Sequence, residues 1–263
     1  VRHLPRATVF MGVPTMYVRL LDRADFDARS AANMRLFISG SAPLLTDTFK
    51  QFEARIGQRI LERYGMSETA MLTSNSYDGN RVAGTVGLPL PGVSVRVVNE
   101  AGQACGAGEI GGIEVKGPNV FAGYWQMPEK TREEFTDDGW FRTGDVGRWD
   151  ANGYLSIVGR SKDLIISGGF NVYPKEIESY LDDMPGVFES AVIGVAHRDF
   201  GEAVTAVVVP EPGATLDEAE MIAGLRRRIA SFKVPKRIHI VAELPRNQMG
   251  KVQKNLLREQ FGG

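Results

Sequence analysis

Cysteine is almost missing: Cys105 is the single one in 263 residues. No intrachain disulfide can form, and a reducing, cytoplasmic setting is expected. No apolar run approaches the ~20 residues needed to span a bilayer, so no membrane partner is expected. Neither charge sign dominates. Against 31 Lys and Arg stand 32 Asp and Glu, a formal net charge of −1, so no global field recruits nucleic acid or an anionic membrane. There are no repeats, no low-complexity tracts and no Cys/His metal cluster. The start, VRHLPRATVF, is neither a Met start nor a signal peptide, and reads as mid-domain sequence. A piece of something longer is therefore expected. What is present, 43% hydrophobic residues in a chain of this length, supports one large domain or two ordinary ones.

The first third alternates strands with helices. Ala7 to Val13 is a β-rich run stopped by Pro14, and Leu36 to Ile38 is a compact buried strand ending in the turn residues Gly40-Ser41-Ala42-Pro43. Thr46 reads as a helix N-cap, with Phe49, Phe52 and Ile56 on one face, before a strand over Arg59 to Tyr64. This rhythm predicts a parallel sheet with function at its strand ends, where GSAP and YGMSE sit. From about Arg81 short strands and glycine turns predict antiparallel sheet or a small barrel. The last third predicts a small α+β unit. It has a helix over Pro174 to Asp183, strands over Ser190 to Val195 and Ala203 to Val209, a helix from the capping box Thr215…Glu218 to about Ile229, and a strand over Arg237 to Val241.

Three stretches suggest chemistry, each with a plain structural alternative. In RYGMSET, Glu68 beside the hydroxyls of Ser67 and Thr69 suits a magnesium-bound phosphate, or Ser67 caps a helix. In RTGD, Asp145 could accept hydrogen bonds from both hydroxyls of a ribose, or stabilise its own turn. GRSKDLIISGGFNVYPKEIE carries charges around glycines at a compositional boundary, as a hinge or as a charged linker. Near the end, PRNQMGKVQK puts Lys251 after a glycine with no glycine-rich phosphate loop before it.

Taken together and in this order, GSAPL, YGMSET, GEIGGIEVKGPNVFAGYW, WFRTGD, GRSKDLIISGGFNVYPKEIE and PRNQMGKVQK resemble the C-terminal half of the adenylate-forming superfamily of acyl-CoA synthetases, adenylation domains and luciferases. Within it the wording is closest to malonyl-CoA synthetases. The family's Ser/Thr/Gly-rich phosphate loop, expected upstream of GSAP, is not in this sequence, so the 263 residues alone are not expected to complete adenylation.

The resemblance implies the remainder of a large domain, an α/β part with a parallel sheet over 1–80 and a β-rich barrel-like part over 81–159. A mobile α+β C-terminal domain over 160–263 would follow, with its hinge near Lys162. It implies ATP giving AMP, Mg2+ and coenzyme A as cofactors. Gly40, Ser41, Ala42 and Pro43 would wall the adenine, Tyr64 with Gly65 would meet the base, and Asp145 with Arg160 would hold the ribose. Ser67 would contact the α-phosphate and Glu68 would hold the metal. Lys251 would bridge the substrate carboxylate and ATP, and is also a site that a lysine acyltransferase could modify. Gly168 and Gly169 would line the pantetheine tunnel. Arg63, in the family's acyl-pocket position, suits a second carboxylate, hence malonate or methylmalonate; the alternative is an Arg63 turned toward Glu62 or another acid. Ser39 and Met71, with Phe37 and Leu72, are further pocket candidates. Lys233 and Arg237 are candidates for the nucleotide end of coenzyme A, Lys254 reads as an ordinary exposed lysine, and His197 and His239 read as structural. An adenylation domain, a synthetase for another acid and an inert fragment remain the alternatives.

Overall fold

Phe49, Phe52 and Ile56 recur at helical spacing, and all three are buried on one face of a helix. In the computed structural model, which describes residues 1–247 and 250–262, that helix belongs to the first of two units, Val1–Ile157 and Val158–Gly263. The first unit runs β1 (Val9–Gly12), α1 (Pro14–Leu21), β2 (Leu36–Ser39), α2 (Thr46–Ile56) and β3 (Leu61–Met66). Pro14 both ends β1 and opens α1, because its ring removes a ladder donor and presets a helical φ. The first three strands pair in parallel, with Val9 opposite Leu36 and Ser39 opposite Glu62. β4 (Ala70–Ser74) and β5 (Leu88–Pro89) then extend the same sheet antiparallel.

Beneath the parallel strands, Tyr17, Phe26, Phe37 and Phe52 are fully buried. Phe37 and Tyr17 present edges to Phe52 at centroid distances of 4.8 and 5.5 Å, geometry that adds about 1 kcal/mol per pair beyond burial. The Tyr17 hydroxyl donates to the Ile38 carbonyl at 2.6 Å, and burial raises its pKa. A second sheet follows in the order β6 (Ser94–Val98), β7 (Gly111–Lys116), β8 (Phe141–Trp149) and β9 (Leu155–Arg160), with α3 (Pro128–Glu134) between β7 and β8 in the chain. Strict alternation in β6 puts Val97 in the core and Arg96 across from Glu114, to which it is paired at 2.7 Å.

The second unit contains β10 (Ile165–Ser167), β11 (Phe170–Val172), α4 (Pro174–Asp182), β12 (Val187–His197), β13 (Gly201–Pro210), α5 (Glu218–Arg226), β14 (Arg237–Ile240) and α6 (Lys254–Phe261). Its sheet has the order β11-β10-β13-β12, with β14 parallel on β13. Ile177 and Leu181 of α4 are buried with Val192, Val204 and Ile238 in one core. No helix among the described residues is long and apolar enough to cross a membrane.

Three local expectations change. Thr46 is the first residue of α2, and Leu45 before it offers no side-chain cap. The expected Thr215…Glu218 box does not form. Asp217 caps α5 by accepting from Glu220 N–H at 2.8 Å, while Glu218 accepts the Ile238 N–H at 2.9 Å and so ties the helix start to β14. A carboxylate two residues nearer the helix than Thr215 won the cap. The α5 helix also stops at Arg226, short of Ile229.

Glu62 is the unusual core residue. It is 4% exposed, with the Leu44 N–H reaching one carboxylate oxygen at 3.2 Å. Burial pushes its carboxyl up from 4.5 to about 7. The folded chain holds that proton to higher pH than the unfolded chain does. Stability contributed below pH 4.5 is therefore lost as pH rises through about 7. Replacing Glu62 by Gln is expected to stabilise the fold by about 3 kcal/mol at pH 8, with the gain vanishing below pH 5 in urea titrations. An equal gain at both pH values would contradict this origin.

Candidate active site

Tyr64 and Asp145 lie 81 residues apart in sequence, and the fold brings them into contact. The Tyr64 hydroxyl donates to Asp145 Oδ2 at 2.5 Å. Asp145 sits within β8 and is only 4% exposed, so a charged donor–acceptor contact offsets part of its desolvation. Its backbone N–H is taken by the Thr143 hydroxyl at 3.1 Å, and Thr143 in turn donates to the Ile113 carbonyl at 2.9 Å. The residue is thus tied to β7 through its backbone and to β3 through its carboxylate.

Next to this contact, β2 ends in the GSAP turn. Ser41, Ala42 and Pro43 are exposed. Ser41 has φ 67°, a left-handed conformation that costs a non-glycine residue energy. A Cβ on Gly40 would lie 3.4 Å from the Arg63 carbonyl and 3.7 Å from its Cγ, so the turn rests directly on Arg63. Glu62 points into the core, and Arg63 has no ion-pair partner among the described residues. Of the other pocket candidates, Ser39 is fully buried opposite Glu62, while Met71 is exposed on β4 opposite Gly65.

The SET turn joins β3 to β4, so no helix follows for Ser67 to cap. Gly65 is required by packing: a Cβ there would stand 2.1 Å from the Ala70 carbonyl, beside a bulge at Tyr64/Gly65. Ala70 closes the turn at φ 49°. Ser67 is exposed, Thr69 buried, and Glu68 partly buried with the Tyr124 hydroxyl 3.2 Å from Oε1. Among the described residues no cluster of three His, Cys, Asp or Glu is set to hold a metal. One carboxylate on an exposed turn fits magnesium that arrives on phosphates, since that ion needs only one or two protein carboxylates.

In the second unit, Lys162 is exposed in a short 3-10 turn over Ser161–Asp163, and Arg160 is exposed just before it. Gly168 and Gly169, at φ 58° and 82°, form the two-residue connection between β10 and β11, a turn that demands positive φ at both positions. Lys251 is exposed beside an antiparallel bridge between Arg246 and Val252. Its N–H goes to Asn247 Oδ1 at 2.9 Å, and its carbonyl accepts the Asn247 N–H at 2.9 Å. Gln248 and Met249 of the same stretch lie outside the described residues. Lys233 is taken up by Glu176, with both oxygens at 2.7 Å, and Arg237 lies 3.4 Å from Glu218. His197 and His239 pack on Phe200 and Phe261.

Lys254 is not the exposed lysine expected. Its side chain is 19% exposed and reaches Glu178 Oε1 at 2.6 Å, while that oxygen also takes the Val192 N–H at 2.9 Å. Sequence reasoning missed this pair because 76 residues separate its members. It also missed Asn119 and Tyr124, which lie in the GPNVFAGYW stretch and grip the SET turn. The one available signal was a polar Asn and a Tyr inside an otherwise apolar run.

Two family models match the chain, AMP-binding enzyme over residues 4–125 and AMP-binding enzyme C-terminal domain over 176–251. The chain belongs to the AMP-binding enzyme family, and its mixed α/β architecture is that of the family's solved members. It is 44% identical to a malonate–CoA ligase of Arabidopsis thaliana over 97% of this chain and 44% of the relative. It is 42% identical to a sulfoacetate–CoA ligase of Cupriavidus necator over 92% of this chain and 47% of the relative. Against ATP-bound MatB of Rhodopseudomonas palustris the identity is 61% and the TM-score 0.97, over 99% of this chain and 52% of that one. Apo MatB, at the same identity and coverage, gives 0.78. The chain thus spans about half the length of the relatives it matches.

Removing the cation from the Glu178 pair leaves a buried carboxylate with only Lys175, at 3.9 Å, nearby. Lys254→Ala is expected to destabilise the second unit by about 3 kcal/mol in urea unfolding. A loss under about 1 kcal/mol, the size of a surface pair, would show that the site is solvated.

Proposed function

We propose that the full-length protein is an acid–thiol ligase. It activates a small dicarboxylic acid, malonate or methylmalonate, as an acyl-adenylate, then passes the acyl group to coenzyme A. The observation that carries this is the Tyr64–Asp145 contact. It joins the residues that the resemblance assigns to the base and the ribose, which come from two motifs 81 residues apart in the chain. Of the three non-glycine residues at positive φ among the described residues, Ser41 and Ala70 fall in the GSAP and SET turns and Gln126 does not, a concentration expected where a site rather than stability sets the backbone.

Adenylation brings a carboxylate onto a polyphosphate. At ~4 Å two unit charges repel by about 4 kcal/mol at an effective dielectric near 20, so cations are needed. Lys251, exposed on its hairpin, is the cation for the substrate carboxylate, and Glu68 is the ligand for magnesium, which would neutralise the phosphates when bound. Ser67 contacts the α-phosphate, and Asp145 with Arg160 holds the ribose. Thioester formation then needs Lys251 withdrawn, by rotation about Lys162, with the Gly168–Gly169 turn at the pantetheine arm. Nearby, Lys236 lies 4.8 Å from the Phe200 ring, and the Phe200 carbonyl takes the Gly168 N–H at 2.8 Å. That surface suits the coenzyme's nucleotide end better than the occupied Lys233 does. Acylation of Lys251 by a lysine acyltransferase would erase the charge on which the first step depends.

Arg63 supports the dicarboxylic reading. Its carbonyl and the base of its side chain lie against the GSAP turn, its guanidinium has no ion-pair partner among the described residues, and the relatives include ligases named for malonate and for sulfoacetate. Guanidinium binds a second anionic group bidentately, whereas a fatty acyl chain would meet a buried unpaired charge.

In the full-length protein, Arg63→Ala should cut kcat/KM for malonate about 100-fold, a loss of 2–3 kcal/mol for a charge-assisted contact, while sparing acetate. Equal losses on both acids in a pyrophosphate-release panel would count against Arg63 as the selector. Lys251→Ala should slow adenylation about 100-fold or more and spare thioester formation from pre-made acyl-adenylate, with Lys162→Pro doing the reverse. Damage to the same half-reaction by both would sink the two-state reading.

A further inference from the structure

The loop between β7 and α3 touches the SET turn at three points and the start of β4 at a fourth. The Phe121 N–H donates to the Glu68 carbonyl at 2.8 Å. Asn119 Nδ2 donates to the Thr69 carbonyl at 2.6 Å and lies 3.3 Å from the Met71 carbonyl. The Tyr124 hydroxyl donates to Glu68 Oε1 at 3.2 Å. The backbone contacts brace a turn that closes on strained Ala70, and the phenol alone addresses the carboxylate.

Tyr124 is itself aimed by its surroundings. Its ring meets Phe121 edge-on at 4.9 Å and lies 5.2 Å from Lys130 Nζ. Its N–H is held by the Thr131 hydroxyl at 2.9 Å. A donor fixed on one oxygen of a carboxylate sets the carboxylate's rotation and leaves the other oxygen to face outward.

We propose that Tyr124, with Asn119 bracing the backbone beneath, is a positioning residue that orients the Glu68 carboxylate toward nucleotide-borne magnesium. The inference rests on the reading of Glu68 given above. Partners of this kind, which touch a metal's ligand and not the metal, typically change metal affinity about 10–100-fold when removed. Tyr124→Phe deletes one oxygen and keeps the ring contacts with Phe121 and Lys130, so the fold is retained.

The test is ATP binding to the full-length protein by calorimetry, without carboxylic acid and therefore without turnover, across a magnesium series. Tyr124→Phe is expected to raise the magnesium concentration at half-effect about 10-fold. It should leave metal-free AMP binding and Tm unchanged. Asn119→Ala is expected to shift the same midpoint in the same direction, and serves if Tyr124→Phe proves unstable. Glu68→Gln is the control for the underlying reading and should flatten the magnesium dependence. If Glu68→Gln flattens it and neither other variant moves the midpoint, the positioning role is overturned while Glu68 stands. If Glu68→Gln changes nothing, the metal reading itself fails and takes this inference with it. Equal weakening of AMP and magnesium–ATP by Tyr124→Phe would assign the hydroxyl to general structure, and also overturns it.

Discussion

A carboxylate buried to 4% exposure inside a strand is costly unless donors surround it, and Asp145 meets that requirement with a phenol from another sheet. On the proposed reading, the first unit's share of the site depends on this contact. β3 belongs to the parallel sheet and β8 to the antiparallel one, so the Tyr64–Asp145 bond fixes one sheet's strand end against the other's. An apolar pair could pack there, but it could not specify the distance. On the proposed reading, the spacing between base and ribose is therefore set by the protein before any nucleotide arrives, as preorganised binding requires.

The same economy explains where the strain lies. Ser41 and Ala70 occupy left-handed backbone at the two turns that flank Tyr64. Each is held by neighbours that leave little choice. The GSAP turn rests on Arg63 at Gly40, and the SET turn is clasped by Asn119 and Phe121. Strain survives only where packing over-determines it, so the clasping loop is as much a part of the site as the turn that carries Glu68.

Much of this was legible in the sequence, for identifiable reasons. The alternation of β6 and the 3.6-residue rhythm of α2 and α4 placed those elements, because burial imposes its period on composition. Ordered motifs drew attention to Tyr64 and Asp145, which the fold brings into contact. What was not legible depends on partners far along the chain. Lys254 looked like any surface lysine until β12 and α4 closed over Glu178. Glu62 looked like an ordinary acid beside Arg63, yet both it and its neighbour Leu61 are buried, with the Leu44 N–H on its carboxylate. Even the α5 cap, a local matter, was misread because Glu218 was drawn off by β14. Side chains with two suitors go to the one the tertiary fold brings, which no window of sequence contains.

Exposure and precision conflict in a residue such as Lys251. A lysine that must reach a ligand cannot be fixed by burying it, and its four-carbon stem holds no geometry of its own. The second unit places the order on either side instead. Arg246, before it, is bound to Glu189 and to the Gly250 carbonyl, and Lys254, after it, is bound to buried Glu178. Arg258 on the same final helix reaches Asp163 at 2.8 Å, next to Lys162. Pairs with a buried member, as Glu178 is here, add little net stability compared with apolar packing, but they are expensive to break singly. Their value is thus positional. On the proposed reading, the helix that follows Lys251 is tied by charge to the turn about which the domain rotates, so rotation at Lys162 carries the lysine's loop with it.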